Sequence, residues 1–165
     1  MVSRVFSRKD DLDWALRNRQ LVGAAALVGL LSMAAITLLQ LGVVQHLPDP
    51  PLPGFDSDKV NLSPRAFPLG IPDGPLAMGA YATALALAAW GPGDRARTRP
   101  WAPLAGGAHA GVLAAVSAYY FYSMPAKERA WCGYCILASL ASFAICGLTF
   151  PEARAALETV RKGRP

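Results

Sequence analysis

The sequence predicts an all-α integral membrane protein, a bundle of four transmembrane helices with a long extracytoplasmic loop between the first and second. Three observations lead there. Hydrophobic residues make up 53% of the 165 and charged residues only 16%, against about 25% charged in an average soluble domain. The charges gather in short blocks between long uncharged runs. Residues 131–150 form a run with no charge at all, long enough to cross a hydrocarbon core about 30 Å thick at about 1.5 Å per residue. The net charge of +5 raises the question of nucleic acid. No basic helix or aromatic-interleaved basic patch accompanies it, which argues against such a partner.

In chain order, residues 1–19 alternate Arg4, Arg8, Lys9, Arg17 and Arg19 with Asp10, Asp11 and Asp13, and read as a short amphipathic cytoplasmic segment. The first crossing is 21–44, interrupted only by Gln40. It exceeds the 7–15-residue core of a secretory signal, and no small-x-small cleavage site follows, so it is expected to stay as an anchor. Residues 46–74 are the longest polar stretch, opened by Pro48, Pro50, Pro51 and Pro53; prolines this dense rule out a regular helix at its start. The second crossing is 75–91, short for a membrane span. A turn carrying Arg95, Arg97 and Arg99 leads to the third, 101–124, which ends in Tyr119, Tyr120 and Tyr122. Residues 125–130 turn back, 131–150 form the fourth crossing, and 151–165 read as a polar cytoplasmic tail with a short helix ending near Gly163. The domain organisation is thus a membrane domain, 20–150, between two cytoplasmic segments.

Orientation follows from the distribution of Lys and Arg. Twelve fall in the N-terminal segment, the Arg95 turn and the tail; four fall in the 46–74 loop and the Lys127 turn. The positive-inside rule then puts both termini in the cytoplasm. The long loop and the start of the fourth crossing share the outer side, where disulfides form and persist.

That outer start reads Trp131-Cys132-Gly133-Tyr134-Cys135. A helix N-terminus favours a thiolate, and Lys127 and Arg129 add positive charge nearby. Two cysteines at this spacing and edge suit a redox pair, with simple packing or one structural disulfide as the alternatives. Zinc needs four ligands, and no second Cys/His cluster exists, so no metal is expected. A membrane-edge dithiol can exchange with a water-soluble thiol on one side and with a lipid-soluble two-electron carrier, a quinone, on the other. Since exchange runs through a mixed disulfide, Cys132 is expected to be the water-reachable, exchanging thiol, and Cys135, one turn deeper, the quinone-facing thiolate. Cys146 lies about 16 Å deeper still, beyond disulfide range, and reads as packing. Trp131, Tyr134, Tyr119, Tyr120 and Tyr122 lie at the depth of the pair, and one or two of them are expected to wall a ring-binding pocket, Trp131 and Tyr119 foremost, with Tyr81; interfacial aromatics also serve as anchors. His109, flanked by Gly107 and Gly111, reads as a neutral histidine bonded across a close helix contact, with a proton path as the alternative.

The C-G-Y-C at the fourth crossing joins a second stretch: Ser57-Asp58-Lys59-Val60-Asn61-Leu62-Ser63-Pro64, then Leu69-Gly70-Ile71-Pro72 and Gly79-Ala80-Tyr81. Together with the four crossings, these segments make residues 20–150 similar to the vitamin K epoxide reductase family. The resemblance implies a quinone-coupled thiol–disulfide oxidoreductase of the cell (inner) membrane, in contact with lipid, with Cys132 and Cys135 as the catalytic pair and ubiquinone or menaquinone as the acceptor. It implies a thioredoxin-fold thiol protein as partner, here in trans. Ser63 matches the family's loop serine, Asp73 stands where relatives hold a quinone-contacting asparagine, and Ser139 stands where some hold a tyrosine. Two loop cysteines relay oxidation in the family; the second would fall at Ser57, and residues 46–74 contain no cysteine. The loop is therefore expected to act as a lid, with Asp73 as its hinge, protonated and donating to a quinone carbonyl. Loss of the relay leaves a second reading open, a non-enzymatic membrane subunit or quinone-binding assembly factor.

Overall fold

The computed structural model describes residues 2–163, with side chains from Leu12 onward. Among these described residues six α-helices follow one another: α1 (Val2–Gln40), α2 (Ser57–Asn61), α3 (Asp73–Ala89), α4 (Arg95–Thr98), α5 (Trp101–Ser123) and α6 (Gly133–Arg161). Among the described residues there is no β-strand, only a single bridge between Phe55 and Trp131. Three helical stretches of the described residues are long and apolar enough to cross a membrane: Leu12–Gln40, Trp101–Glu128 and Gly133–Arg161. Their outward faces carry Leu31, Val112, Tyr122 and Leu140, all exposed, which is how a lipid-facing surface differs from a soluble one. The chain is a membrane protein.

Two boundaries differ from the sequence reading. The N-terminal block and the first apolar run are one helix, because no glycine or proline separates Val2 from Val22 and a change from charged to apolar residues does not by itself end a helix. The amphipathic character expected of residues 1–11 lies outside the described side chains. At its other end α1 stops at Gln40 rather than 44. Gly42 turns left-handed (φ 72°), and Gly42 N–H and Val43 N–H donate back to the carbonyls of Leu39 and Leu38, both at 2.9 Å, the glycine-terminated cap that satisfies the last carbonyls of a helix. The fourth apolar run likewise continues past 150 into the tail. Pro151 sits inside α6 and removes one backbone donor there. The helix carries on because Glu152 and Ala156, both buried, fasten the next turns to the bundle.

In the bundle, α1 packs along both α3 and α6, and α5 packs along α6, while α3 and α5 touch lightly. The ring of four is therefore least closed between α3 and α5. Small residues let the tight pairs approach. A Cβ on Gly29 would overlap the ring of Tyr81, and one on Gly107 would come within 2.7 Å of the Ala153 Cβ. Gly29 thus provides the notch on α1 that lets Tyr81 of α3 sit fully buried. Of the glycines around His109, Gly107 makes a close helix contact and Gly111 faces open space.

Candidate active site

The site is built where α6 begins. Cys132 precedes the helix in an extended conformation (φ −119°, ψ 118°) and serves as its N-cap, its sulfur accepting from Cys135 N–H at 3.1 Å. Serine or aspartate usually fills this position; a sulfur here meets the same unpaired N–H groups and the positive end of the helix dipole. The approach to the cap is fixed by the loop. Trp131 N–H donates to Gly54 O at 2.7 Å, and Asp56 N–H donates to Trp131 O at 2.9 Å. This two-way clasp lays α2 directly over Cys132.

Asn61, at the end of α2, is buried against both sulfurs. Its Nδ2 donates to Cys132 Sγ at 3.2 Å and to Ser57 O at 2.7 Å, and its Oδ1 accepts from Cys135 Sγ at 3.3 Å. Ser57 itself is held by Asp49, whose carboxylate accepts from Ser57 N–H at 2.7 Å and from the Ser57 hydroxyl. The Cys132 thiol, just ahead of the spanning helix, is brought down to about 7. The hydrogen bond from the Cys135 side chain is the main cause, and donors at Asn61 and the Cys135 N–H add to it against the opposing effect of burial.

Cys132 is 0% exposed, which corrects the expectation that it is reachable from water: the clasp at Gly54–Asp56 puts α2 between the sulfur and solvent. Cys135 is half-buried and opens on a cavity of about 350 Å³, within the range of small-molecule pockets. The cavity occupies the weakly closed seam between α3 and α5. Its walls are mostly apolar, among them Ile36, Leu76, Val112 and Val116, with Asp73, Ser63, Tyr120, Ser139 and His109 as polar points. From Tyr120 to His109 it follows α5 for about 16 Å at 1.5 Å per residue.

Asp73, Ser63 and Tyr81 all border this cavity. Asp73 heads α3 and accepts from Gln40 Nε2 at 2.7 Å, while Gln40 Oε1 accepts from Gly74 N–H at 3.0 Å. Gln40, the one amide in the first apolar run, thus ties α1 to the start of α3. Tyr81 presents its ring, but its hydroxyl is occupied: it donates to Ala138 O at 2.7 Å and lies 2.7 Å from Ser142 Oγ. Tyr119 and Trp131 do not border the cavity. Tyr119 is exposed and stacks edge-on against Tyr120; adjacent residues on a helix point about 100° apart, so when Tyr120 turns inward Tyr119 turns out. The Trp131 ring packs on Phe121, centroids 5.6 Å apart, and its backbone serves the loop clasp. His109 Nε2 lies 2.9 Å from Ala80 O, a hydrogen bond from α5 across to α3. Cys146 is a half-buried thiol. Among the described residues no group of three or more His, Cys, Asp or Glu is placed to hold a metal ion.

Gln40 and Asn61 went unassigned in the sequence, and Tyr120 was one of five interfacial aromatics without being singled out. The Tyr120 hydroxyl lies between the Asp73 carboxyl and Arg65 O, 3.4 Å from the latter. Gln40 carried a signal, as the most polar residue in an apolar run. Asn61 carried none, since its sulfur partners are 71 and 74 positions away.

An all-helical membrane protein with a cysteine pair capping one spanning helix, beside an apolar cavity, has the build of a membrane oxidoreductase. Residues 20–150 match the vitamin K epoxide reductase family, and the chain belongs to that family. Its members are membrane thiol–disulfide oxidoreductases linked to quinone, so the chain falls in the oxidoreductase class. Comparison with curated proteins gives no match.

Proposed function

We propose that this protein couples the Cys132/Cys135 dithiol to reduction of a membrane quinone, ubiquinone or menaquinone, and so supports disulfide formation in extracytoplasmic proteins. The observation that carries the reading is that Cys135 opens on the apolar cavity while Cys132 lies beside it under the loop. The net reaction balances without a metal: dithiol and quinone give disulfide and hydroquinone, two electrons and two protons passing together. Asp73, Ser63 and Tyr120 supply polar contacts at the cavity mouth for a quinone carbonyl, and the apolar walls suit the ring.

In this reading α3 is a fourth crossing. Its 17 residues span about 25 Å, and the α1–α3 connection lies on the extracytoplasmic side of the inner membrane with both termini in the cytoplasm. The electron donor is a thioredoxin-fold thiol protein acting in trans. With no loop cysteine to relay and Cys132 covered, the partner reaches Cys132 when α2 lifts. The loop is thus a lid. The same burial of Cys132 favours a second reading, a quinone-binding assembly factor that keeps the fold without turnover. One experiment separates them: purified protein, a reduced dithiol and a short-chain quinone. Hydroquinone production that is lost in Cys135→Ala supports the enzyme; tight quinone binding without turnover supports the assembly factor.

A further inference from the structure

We infer that Asn61 is a further catalytic residue, whose amide assigns the thiolate of the reduced pair to Cys132 and leaves the remaining proton on Cys135. The inference rests on the dithiol reading above and deepens it. A carboxamide is asymmetric: one end only donates, the other only accepts. Which end faces which sulfur is fixed here by the backbone. Ser57 O, an acceptor, lies 2.7 Å from the Asn61 nitrogen; turning the amide over would set two oxygens against each other. The nitrogen end therefore faces Cys132 and the oxygen end faces Cys135. Cys132 also accepts from Cys135 N–H at the helix N-terminus. One sulfur thus stands among N–H donors, while the other keeps its S–H, shared between the first sulfur and the amide oxygen. Hydrogen bonds to a charged acceptor are about twice as strong as neutral ones, so the negative charge settles on Cys132.

This reverses the sequence-based assignment of the thiolate to Cys135, while Cys135 keeps its place on the cavity. On oxidation the Cys132 and Cys135 sulfurs join. Two electrons pass to the quinone, which takes up the Cys135 proton and one more from solution to become hydroquinone. The other titratable groups facing the pair are Asp49, through Ser57, in the loop; Asp73 and Tyr81 on α3; and Tyr120 on α5. From α1 the group that reaches the site is the neutral Gln40.

The test uses full-length protein in detergent and needs no quinone. With the cysteine β-carbons isotopically labelled, a titration of the wild type followed by NMR should show Cys132 deprotonating first; Cys135 deprotonating first overturns the inference. In parallel, the dithiol–disulfide equilibrium is measured against a small thiol redox buffer for wild type, Asn61→Leu and Asn61→Asp, the last keeping the side-chain shape but losing the donor. Well above the Cys132 midpoint, both variants should lower the equilibrium constant for reduction about tenfold, or about 30 mV. The difference should shrink as pH falls below about 7, where a protonated sulfur no longer needs the donor. A purely structural role would move the constant equally at every pH, and no change at all would equally sink the idea. If the wild type forms no Cys132–Cys135 disulfide in any buffer, the dithiol reading itself fails, whichever cysteine titrates first.

Discussion

The two ends of the bundle are held by different forces. At the end where α3 finishes, the bonding is charged and buried. Arg95 meets Glu152 through two hydrogen bonds of 2.8 Å, with both side chains almost wholly enclosed. Arg19 reaches from α1 to the carbonyls of Ala88, Trp90 and Gly91 at 2.7 to 3.0 Å, placing a cation at a helix C-terminus where the dipole favours one. At the end where α6 starts, the links across the bundle run through uncharged amides and sulfurs, Gln40 and Asn61 above all, and the ion pairs lie nearer the surface, as Arg65–Glu128 and His46–Asp58 do. The charged end leaves a gap of only about 20 Å³ among its polar groups; the sulfur end opens on about 350 Å³. Breaking a buried pair strands a charge, whereas the loop contacts, the half-buried Asp49 carboxylate among them, can pass to water when parted. The base is therefore built to stay shut and the cover over the cysteines to move.

The comparison breaks most visibly at the cysteines. Cys135→Ala is expected to abolish quinone reduction while leaving the thermal midpoint nearly unchanged, because the site contributes chemistry rather than rigidity. Quinone absorbance and a thermal melt on the same sample read both, and residual turnover would place the chemistry elsewhere. At the opposite end the pattern inverts. Glu152→Ala strands the buried Arg95 guanidinium and should cost about 3–5 kcal/mol of stability, with turnover per folded molecule retained. A loss below about 1 kcal/mol, the range of a surface pair, would mean that water reaches Arg95 and that the two ends are not so different.

The next effect concerns the cover. Asp49 accepts two hydrogen bonds from Ser57, each of the charged kind worth roughly 1.5–3 kcal/mol, and Ser57 begins the short helix that covers Cys132. Asp49→Ala removes both and should therefore raise the alkylation rate of Cys132 by a small maleimide at least about a hundredfold, followed site by site by mass spectrometry. Cys146, remote from the loop, serves as the internal control. Equal rates in wild type and variant would show that α2 is held by the Gly54–Trp131 clasp alone.

What the sequence disclosed and what it hid divide along physical lines. Apolar runs announce helices, so α3, α5 and the start of α6 were legible to within about two residues. The charged extensions of α1 and α6 were not, since a charge block marks a membrane edge and says nothing about whether the helix continues through it. The cysteine pair was legible because the two residues lie three apart at the start of one helix. Asn61 was hidden because its partners come from the far end of the chain, and nothing local to α2 points to sulfur. Tyr120 was legible only as one of a group: Tyr119, Tyr120 and Tyr122 have similar chemistry, and which one turns inward depends on how α5 is rotated against its neighbours. The burial of Cys132 depends on a loop clasp made by backbone atoms, which carry no residue identity to read.

The smallest expected effect sharpens the account of the cover. His46 Nδ1 lies 2.8 Å from Asp58 Oδ2 with the imidazole almost fully in water. Asp58 also accepts from Leu47 N–H at 2.9 Å, a contact that does not need the histidine. Exposed pairs contribute little, because solvent screens the attraction and ordering two side chains offsets it. His46→Ala should therefore raise Cys132 alkylation by about twofold at most, and added salt should erase even that, since screening acts on exposed charges first. The half-buried Asp49–Ser57 contact should be largely indifferent to salt. If His46→Ala instead matched Asp49→Ala, and salt abolished both, the cover would be an electrostatic latch on the surface. The contrast between a charge-held base and a cover held by partly buried hydrogen bonds would then have to be redrawn.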